Sequence, residues 1–338
     1  MKNIALIGCG YWGKNYINTF RDIDSGKLNH ICDINEANLK KYSSKLHDVS
    51  FCKDYKHIMD MANVLPIDGV IISTNAASHF EIAKYFLEKN VGVFIEKPLT
   101  TKTEEAEELV RLAEIRNCPL MVGHIFEFNS PLNKVKSLVA SGEIGELRYL
   151  ESTRKGLGPI RKDVSALWDL ASHDIYISTS LTGQLPSRVS CNGVSHNGSI
   201  DDIVSVNLFF DKGIISTIYA NWEHPIKERK LYVGGTKKAI LFDDIESVNK
   251  VVIYDKGIDY QPIGDSFTEF STSIRDGDII IPKVNSNNPL KDEIEHFLAY
   301  LDSGKCIAPG SEGLKNVRIL EAAELSRKNN GVGVDIKW

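Results

Sequence analysis

The chain contains no apolar run approaching the roughly 18 consecutive residues that a membrane helix requires, and no CxxC pair among its six cysteines. The first absence argues against a helical membrane span. The second, with Cys9, Cys32, Cys52, Cys118, Cys191 and Cys306 scattered far apart, argues against a zinc site or a disulfide framework. Small buried hydrophobes are the expected role of these cysteines. A basic run is missing too. The 40 Lys and Arg are interspersed with 45 Asp and Glu for a net charge of −5, so no patch or stripe suited to nucleic acid is present. The N-terminal MKNIALIGCG has too short an apolar stretch for a signal peptide and runs into glycines where a cleavage site would stand. The reading is a cytoplasmic protein with no membrane, metal or nucleic-acid partner.

What is present is enough chain for two domains: 338 residues, 42% of them hydrophobic. The first third alternates apolar runs (Asn3–Ile7, Asn29–Cys32, Val70–Ser73, Val91–Ile95, Leu120–Val122) with helical patterns at Tyr11–Arg21, Glu36–Leu46, His79–Lys89 and Glu104–Arg116. That alternation predicts a doubly wound parallel sheet, and GVIIS and VGVFI have the continuous apolar character of strands covered on both faces. After Gly123 the grammar changes. Helical patterns at Pro131–Ala140 and Ser165–Leu181 are followed by strand-like runs at Ser187–Val194, Ser205–Phe210, Gly213–Asn221, Lys230–Val233 and Lys238–Phe242. Turn signals separate these runs, which predicts an α+β domain with a mostly antiparallel open sheet. The division is thus residues 1–122 as an α/β Rossmann domain and 123–338 as a substrate-binding and oligomerisation domain. Two closing helices, Leu290–Leu301 and Glu312–Arg327, are free to pack back on the first domain. Residues 255–288 carry little pattern and read as loops or an excursion.

GCGYWG at 8–13 fits G-x-G-x-x-G, a weak signal alone. Here it follows an apolar strand, opens a helical stretch, and is followed twenty residues after Gly13 by Asp33 at the end of the next strand. In this arrangement Gly8 serves the tight turn, Gly10 the approach of a pyrophosphate, and Gly13 close helix–strand packing. Asp33 suits two ribose hydroxyls and would repel a 2′-phosphate. No Arg follows it in CDIN, so NAD is favoured over NADP. Tyr11, Trp12 and Ile34 flank these positions and join the cofactor set.

Two further motifs lie at strand ends, where ligands of open α/β sheets bind. STNAASH places Thr74, Asn75 and His79 within reach of the cofactor, although His79 also suits a helix cap or the surface. FIEKPLT sets Glu96 and Lys97 directly after a buried strand, next to the expected nicotinamide position. A surface ion pair between them is disfavoured, because neighbours on a strand point to opposite faces. In LWDLASHDIYIS, Asp169 and His173 stand four apart, on one face of a helix, as an orienting acid and a general base would. The same spacing also suits half of a metal site, without a third ligand by spacing, or an Asp–His pair on a helix surface.

GCGYWG, CDIN, TNAASH, EKPLT, VGHIFEFNSP, GEIGELRYL, WDLASHDI and GLKNVRILEAAELS occur in this order over nearly the whole chain. Together they resemble the glucose-fructose oxidoreductase / inositol dehydrogenase / rhizopine-catabolism family, Gfo/Idh/MocA. The resemblance implies a catalytic group of Lys97, Asp169 and His173 and a cis bond between Lys97 and Pro98. Asn75 stands where many members have proline, and Ser172 where many have proline or glycine. STRKGLGPIRKDVSALWDLASHD and NWEHPIKERKLYVGGTKKAILFDD resemble members acting on sugars or nucleotide sugars. On that resemblance Arg154, Lys155, Arg161 and Lys162 can meet a diphosphate or a sugar carboxylate, with Trp168 in the same substrate set, or can form a solvated basic loop. The implied activity is NAD-dependent oxidation or reduction of a secondary alcohol or ketone on a sugar ring. An inositol or polyol dehydrogenase, an NAD-assisted glycosidase and a non-catalytic NAD-binding regulator are the alternatives. The resemblance also implies a homodimer or homotetramer paired through the later sheet, where Trp222, Phe209, Phe210 and Ile218 lie either on that face or in the core.

Overall fold

The computed structural model describes residues 1–338 apart from 159, 162, 197, 199 and 263–269, and the side chains of 260–262 and 270–272 are likewise left out. Lys162 therefore lies outside the described residues. The chain forms two compact units, Met1–Phe128 with Asn288–Glu321 and Asn129–Asn287 with Ala322–Trp338.

The first unit opens with β1 (Lys2–Ile7), α1 (Gly13–Thr19), β2 (Gly26–Cys32), α2 (Glu36–Ser43), β3 (Ser50–Cys52) and α3 (His57–Met61). It continues with β4 (Gly69–Ile72), α4 (His79–Glu88), β5 (Gly92–Glu96), α5 (Thr103–Arg116) and β6 (Leu120–Gly123). The six strands are all parallel in the order β3-β2-β1-β4-β5-β6. The order reverses at β1, so the crevice beyond the C-terminal ends of β1 and β4 is the expected ligand site. β4 and β5 are buried at every position but Glu96, as strands covered on both faces must be. The short β3 and α3 had no counterpart in the sequence reading. All three residues of β3 are only partly buried, and so short an edge strand leaves no apolar run to find.

The second unit begins with α6 (Ser130–Ala140), β7 (Leu147–Lys155), a π-helical turn at Leu167–Ala171 and α7 (Ser172–Thr182). Then come β8 (Arg188–Val194), β9 (Ile203–Phe209), β10 (Ile215–Asn221), β11 (Glu228–Gly235), β12 (Ala239–Asp243), β13 (Val251–Pro262) and β14 (Phe270–Ile280). The closing elements are α8 (Pro289–Ser303), which belongs to the first unit, α9 (Gly310–Lys328) and β15 (Val334–Asp335). The nine-stranded sheet runs β14-β13-β12-β11-β7-β10-β9-β8-β15 and is antiparallel except for β7 with β10.

Local chemistry explains the boundaries. Asn129 and Asn288 cap α6 and α8 by accepting from the amides of Leu132 and Lys291, each with a proline in the first turn. Gly183 ends α7 and Gly304 ends α8 in the left-handed conformation, with φ of 63° and 64°. α8 lays Leu290, Ile294, Phe297 and Leu298 into the core around Ile4, Leu6, Phe94 and Met121.

One expectation is corrected here, and one alternative is decided. Residues 255–288 are not mainly loop, since much of the stretch pairs as the β13–β14 ribbon. Ile258 and Ile274 are exposed on that ribbon, so no buried face imprints a period of two. Trp222, Phe210 and Ile218 are core, 3%, 5% and 0% exposed, and do not form an outward face. The accessible face carries Tyr149, Glu151 and Thr153 of β7, in register with Ile215, Thr217 and Tyr219 of β10. No helix among the described residues is long and apolar enough to cross a membrane.

Candidate active site

The glycine loop leaves β1 at Gly8, whose φ is +89°, and a Cβ there would lie 2.4 Å from the Ser73 carbonyl oxygen. Only glycine satisfies both the left-handed conformation and the contact. Gly13 packs equally close, since its Cβ would fall 2.1 Å from the Gly8 carbonyl oxygen. Gly10 differs: a Cβ there would meet nothing nearer than Asn38 Nδ2 at 3.9 Å. The space over Gly10 is open, as a pyrophosphate against the backbone requires, so the residues present fit a dinucleotide.

Asp33 follows β2 and is 8% exposed. Its Oδ2 accepts from the Cys9 amide at 2.9 Å and from Asn38 Nδ2 at 3.1 Å, while Oδ1 accepts from the Asn35 amide at 2.8 Å. A carboxylate offers about four lone-pair sites, so the loop orients Asp33 and leaves it capacity for a ribose hydroxyl. Ile34, 86% exposed, and Tyr11, 73% exposed, provide apolar surface beside it. Asn38 was not evident in the sequence, since nothing distinguishes it from other polar residues of α2. Burial and the Asp33 charge push the Cys9 thiol up to about 12, so it is no thiolate nucleophile.

Beyond β4, Thr74 Oγ1 accepts from Ser78 Oγ at 2.8 Å, and Asn75 is exposed. His79 is only 1% exposed. Its Nδ1 lies 2.8 Å from the Pro98 carbonyl oxygen and its Nε2 3.3 Å from that of Thr74. His79, for which the sequence left cofactor contact, a helix cap or the surface open, braces the Thr74 and Pro98 segments from within. The Lys97–Pro98 bond is cis, as the resemblance implied. Lys97 is half-buried. Glu96 Oε1 accepts from Tyr16 Oη at 2.5 Å and from the indole of Trp12. Glu96 thus ties the glycine loop to the segment carrying Lys97.

In the second unit Asp169 lies on the π-helical turn and His173 in the first turn of α7, both partly buried. The helix expected over Ser165–Leu181 is therefore not uniform, and π-turns of this kind recur at functional sites. Asp169 Oδ1 accepts from Arg161 Nη1 at 3.1 Å, and its Oδ2 accepts from Trp222 Nε1 at 3.3 Å. Both carboxylate oxygens are held by donors from outside the turn. Trp222 follows β10; its role was missed because an aromatic at a strand end reads first as core. Trp168, beside Asp169, is 9% exposed.

The basic cluster is corrected in detail. Arg154 is not on a loop but in β7, 6% exposed. Its Nε and Nη2 donate to Asp174 at 2.7 and 3.1 Å, and Ser152 Oγ donates to the same carboxylate at 2.6 Å. A guanidinium so engaged holds α7 to the sheet and is not aimed at a ligand. Arg161 directs Nε and Nη2 at Asp163, 2.9 and 2.5 Å, and Nη1 at Asp169. It thereby holds Asp169, where the sequence left a substrate contact or a solvated loop open. Lys155 forms an ion pair with Glu228 at 3.5 Å. Among the described residues, one cluster, His196, Asp202 and Glu223, brings His and carboxylate atoms within 4.8 Å of one another. There His196 Nδ1 lies 2.9 Å from Asp202 Oδ1, and the Asp202 carboxylate raises the imidazole above its ordinary value.

Comparison with known proteins agrees with this geometry. Residues 2–124 match the profile "Oxidoreductase family, NAD-binding Rossmann fold", and residues 132–241 match the "GFO/IDH/MocA C-terminal domain". UDP-N-acetylglucosamine 3-dehydrogenase of Acidithiobacillus ferrooxidans is 25% identical over 322 residues, covering 94% of each chain. Its solved structure superposes with a TM-score of 0.80 at 22% identity, covering 97% of this chain and 98% of that one. Myo-inositol 2-dehydrogenase of Thermotoga maritima is 24% identical over 75% of this chain and 79% of its own. GenD2 from gentamicin A biosynthesis, solved in complex with NAD, superposes with a TM-score of 0.83 at 19% identity, over 100% of this chain and 97% of that one. With matched profiles spanning most of the chain and a glycine loop built for a dinucleotide, this protein belongs to the Gfo/Idh/MocA family of NAD-binding oxidoreductases.

Proposed function

We propose that the protein oxidises a secondary alcohol on a sugar ring, or reduces the corresponding ketone, with a free sugar or nucleotide sugar as substrate. NAD, when bound, supplies the hydride acceptor or donor. The residues of the chain handle the proton and the charge. His173 takes the hydroxyl proton, Lys97 stabilises the developing alkoxide, and Asp169 orients His173 and stabilises its imidazolium. Arg161 and Trp222 hold the two oxygens of Asp169, so its carboxylate does not have to reorganise during proton transfer. That two-sided anchoring of Asp169 is the observation that carries the reading. A surface aspartate has no need of a partly buried guanidinium and a buried indole.

The similarity to UDP-N-acetylglucosamine 3-dehydrogenase over nearly the full length favours a nucleotide sugar as the first substrate to test. The inositol and polyol reading rests on the similarity to myo-inositol 2-dehydrogenase, which covers less of the chain. The decisive experiment is a screen of NADH formation with nucleotide sugars, free sugars and inositols. Lys97→Ala and His173→Ala should abolish turnover while NADH still binds; undiminished turnover in both sinks the assignment. We also infer a homodimer through the accessible β7–β10 face, which size-exclusion chromatography with light scattering tests.

A further inference from the structure

One buried acid of the first unit has no part in the reaction described so far. Glu293, on α8, is 0% exposed, and neither of its carboxyl oxygens has a hydrogen-bond partner among the described residues. It interrupts the apolar face formed by Leu290, Ile294 and Phe297. That face packs in the same core as Tyr16 and Phe94, whose rings meet edge-on at 5.8 Å, and Phe94 in turn meets Phe297 at 5.6 Å. Glu293 therefore shares a core with Tyr16, whose hydroxyl donates to the Glu96 carboxylate. Gly123, opposite Glu96 in the β5–β6 register, makes room for the Glu96 carboxylate, because a Cβ there would lie 3.1 Å from Oε2.

A fully buried carboxyl without a donor pays a large cost to ionise, and more so when a neighbouring carboxyl is already charged. The distribution of donors decides which one carries the charge. Glu96 has the Tyr16 hydroxyl, the Trp12 indole and the nearby charge of Lys97, whereas Glu293 has none of these. Burial raises both acids, and the Glu96 charge raises Glu293 further, well above the carboxylate range. The elements packed against α8 carry Glu96 on β5, Tyr16 on α1 and Glu127 on the turn at Ile125–Phe128, and α8 itself carries His296. Of these, the Glu96 charge is the one that raises Glu293.

We propose that Glu293 is a positioning residue for the cofactor loop: held as the neutral acid, it leaves Glu96 as the single charge that anchors Trp12, and its ionisation repels Glu96 and loosens the loop. Dinucleotide affinity then falls at alkaline pH through a group that never touches the dinucleotide.

The test is the pH dependence of NADH binding, read by fluorescence titration at pH 7 and pH 9.5 on the whole protein. Wild type should bind about tenfold more weakly at pH 9.5. Glu293→Gln, which keeps shape and removes the ionisation, should match wild type within about twofold at pH 7 and keep that affinity at pH 9.5. Glu96→Gln should bind more weakly at both pH values and also lose the pH dependence, because the charge to be repelled is gone. A wild type whose affinity does not change with pH overturns the proposal. So does a Glu293→Gln variant that follows the wild-type pH dependence, or one that loses binding at pH 7. A merely structural Glu293 would shift the melting temperature of Glu293→Gln and leave its pH dependence like that of wild type.

Discussion

Replacing Arg154 with methionine separates two accounts of the basic cluster. If Arg154 recognised substrate, Arg154→Met would raise KM and leave stability alone. The structure requires the opposite. Arg154 and Asp174 are 6% and 3% exposed, and the pair is bidentate. Deleting one partner of a buried pair costs about 3–5 kcal/mol, mainly by stranding the other charge. Ser152 still donates to Asp174 at 2.6 Å, which places the expected loss near the lower end, about 3 kcal/mol. At roughly 2–4 °C per kcal/mol for a domain of this size, thermal unfolding followed by circular dichroism should shift down by about 10 °C. The double variant Arg154→Met/Asp174→Asn, which removes the stranded charge and keeps an acceptor for Ser152, should recover at least half of the loss. KM of the folded variant should stay within about twofold. An unchanged melting temperature together with a raised KM would refute the structural assignment and restore Arg154 to the substrate site.

Other consequences are as direct. Gly10→Val should abolish NADH binding by calorimetry with little change in melting temperature, since its side chain meets open space and not protein. Gly8→Ala should instead destabilise the fold, because the added Cβ meets the Ser73 carbonyl at a φ of +89°. Trp222→Phe, which removes the donor to Asp169 Oδ2, should lower kcat about tenfold with KM nearly unchanged, as expected of a residue acting through another. The hydrogen bond and charge of Arg161 hold Asp163 below the usual aspartate range. A depressed folded pKa contributes stability that is complete above the unfolded value and lost as pH falls through the folded one. NMR titration should therefore show Asp163 protonating below an ordinary aspartate, and Arg161→Met should move it upward.

The dinucleotide half was readable in the chain because its determinants are local. Gly8, Gly10, Gly13 and Asp33 act through backbone conformation and a strand–turn–helix spacing, and both are written in consecutive residues. The β13–β14 ribbon was not readable, because a strand pair exposed on its flanks needs no alternation. His79 and Arg154 were left open between a ligand-facing and a structural or solvated place, because a charge or an imidazole in sequence says nothing of direction. Each was turned inward by a partner far away in the chain, the Pro98 carbonyl for one and Asp174 for the other.

The sequence by itself determined the alternation of strands and helices and the dinucleotide loop, and its motifs nominated Lys97, Asp169 and His173. Periodicity, glycine and motif order are properties of neighbouring residues. Only the tertiary structure decided which polar groups are bound to one another. Asp169 is gripped by Arg161 eight residues before it and Trp222 fifty-three residues after it, and Glu293 is buried in the core that holds Tyr16, the donor to Glu96. The physical reason is that hydrogen bonding and desolvation depend on distance in space, and separation along the chain carries no record of it.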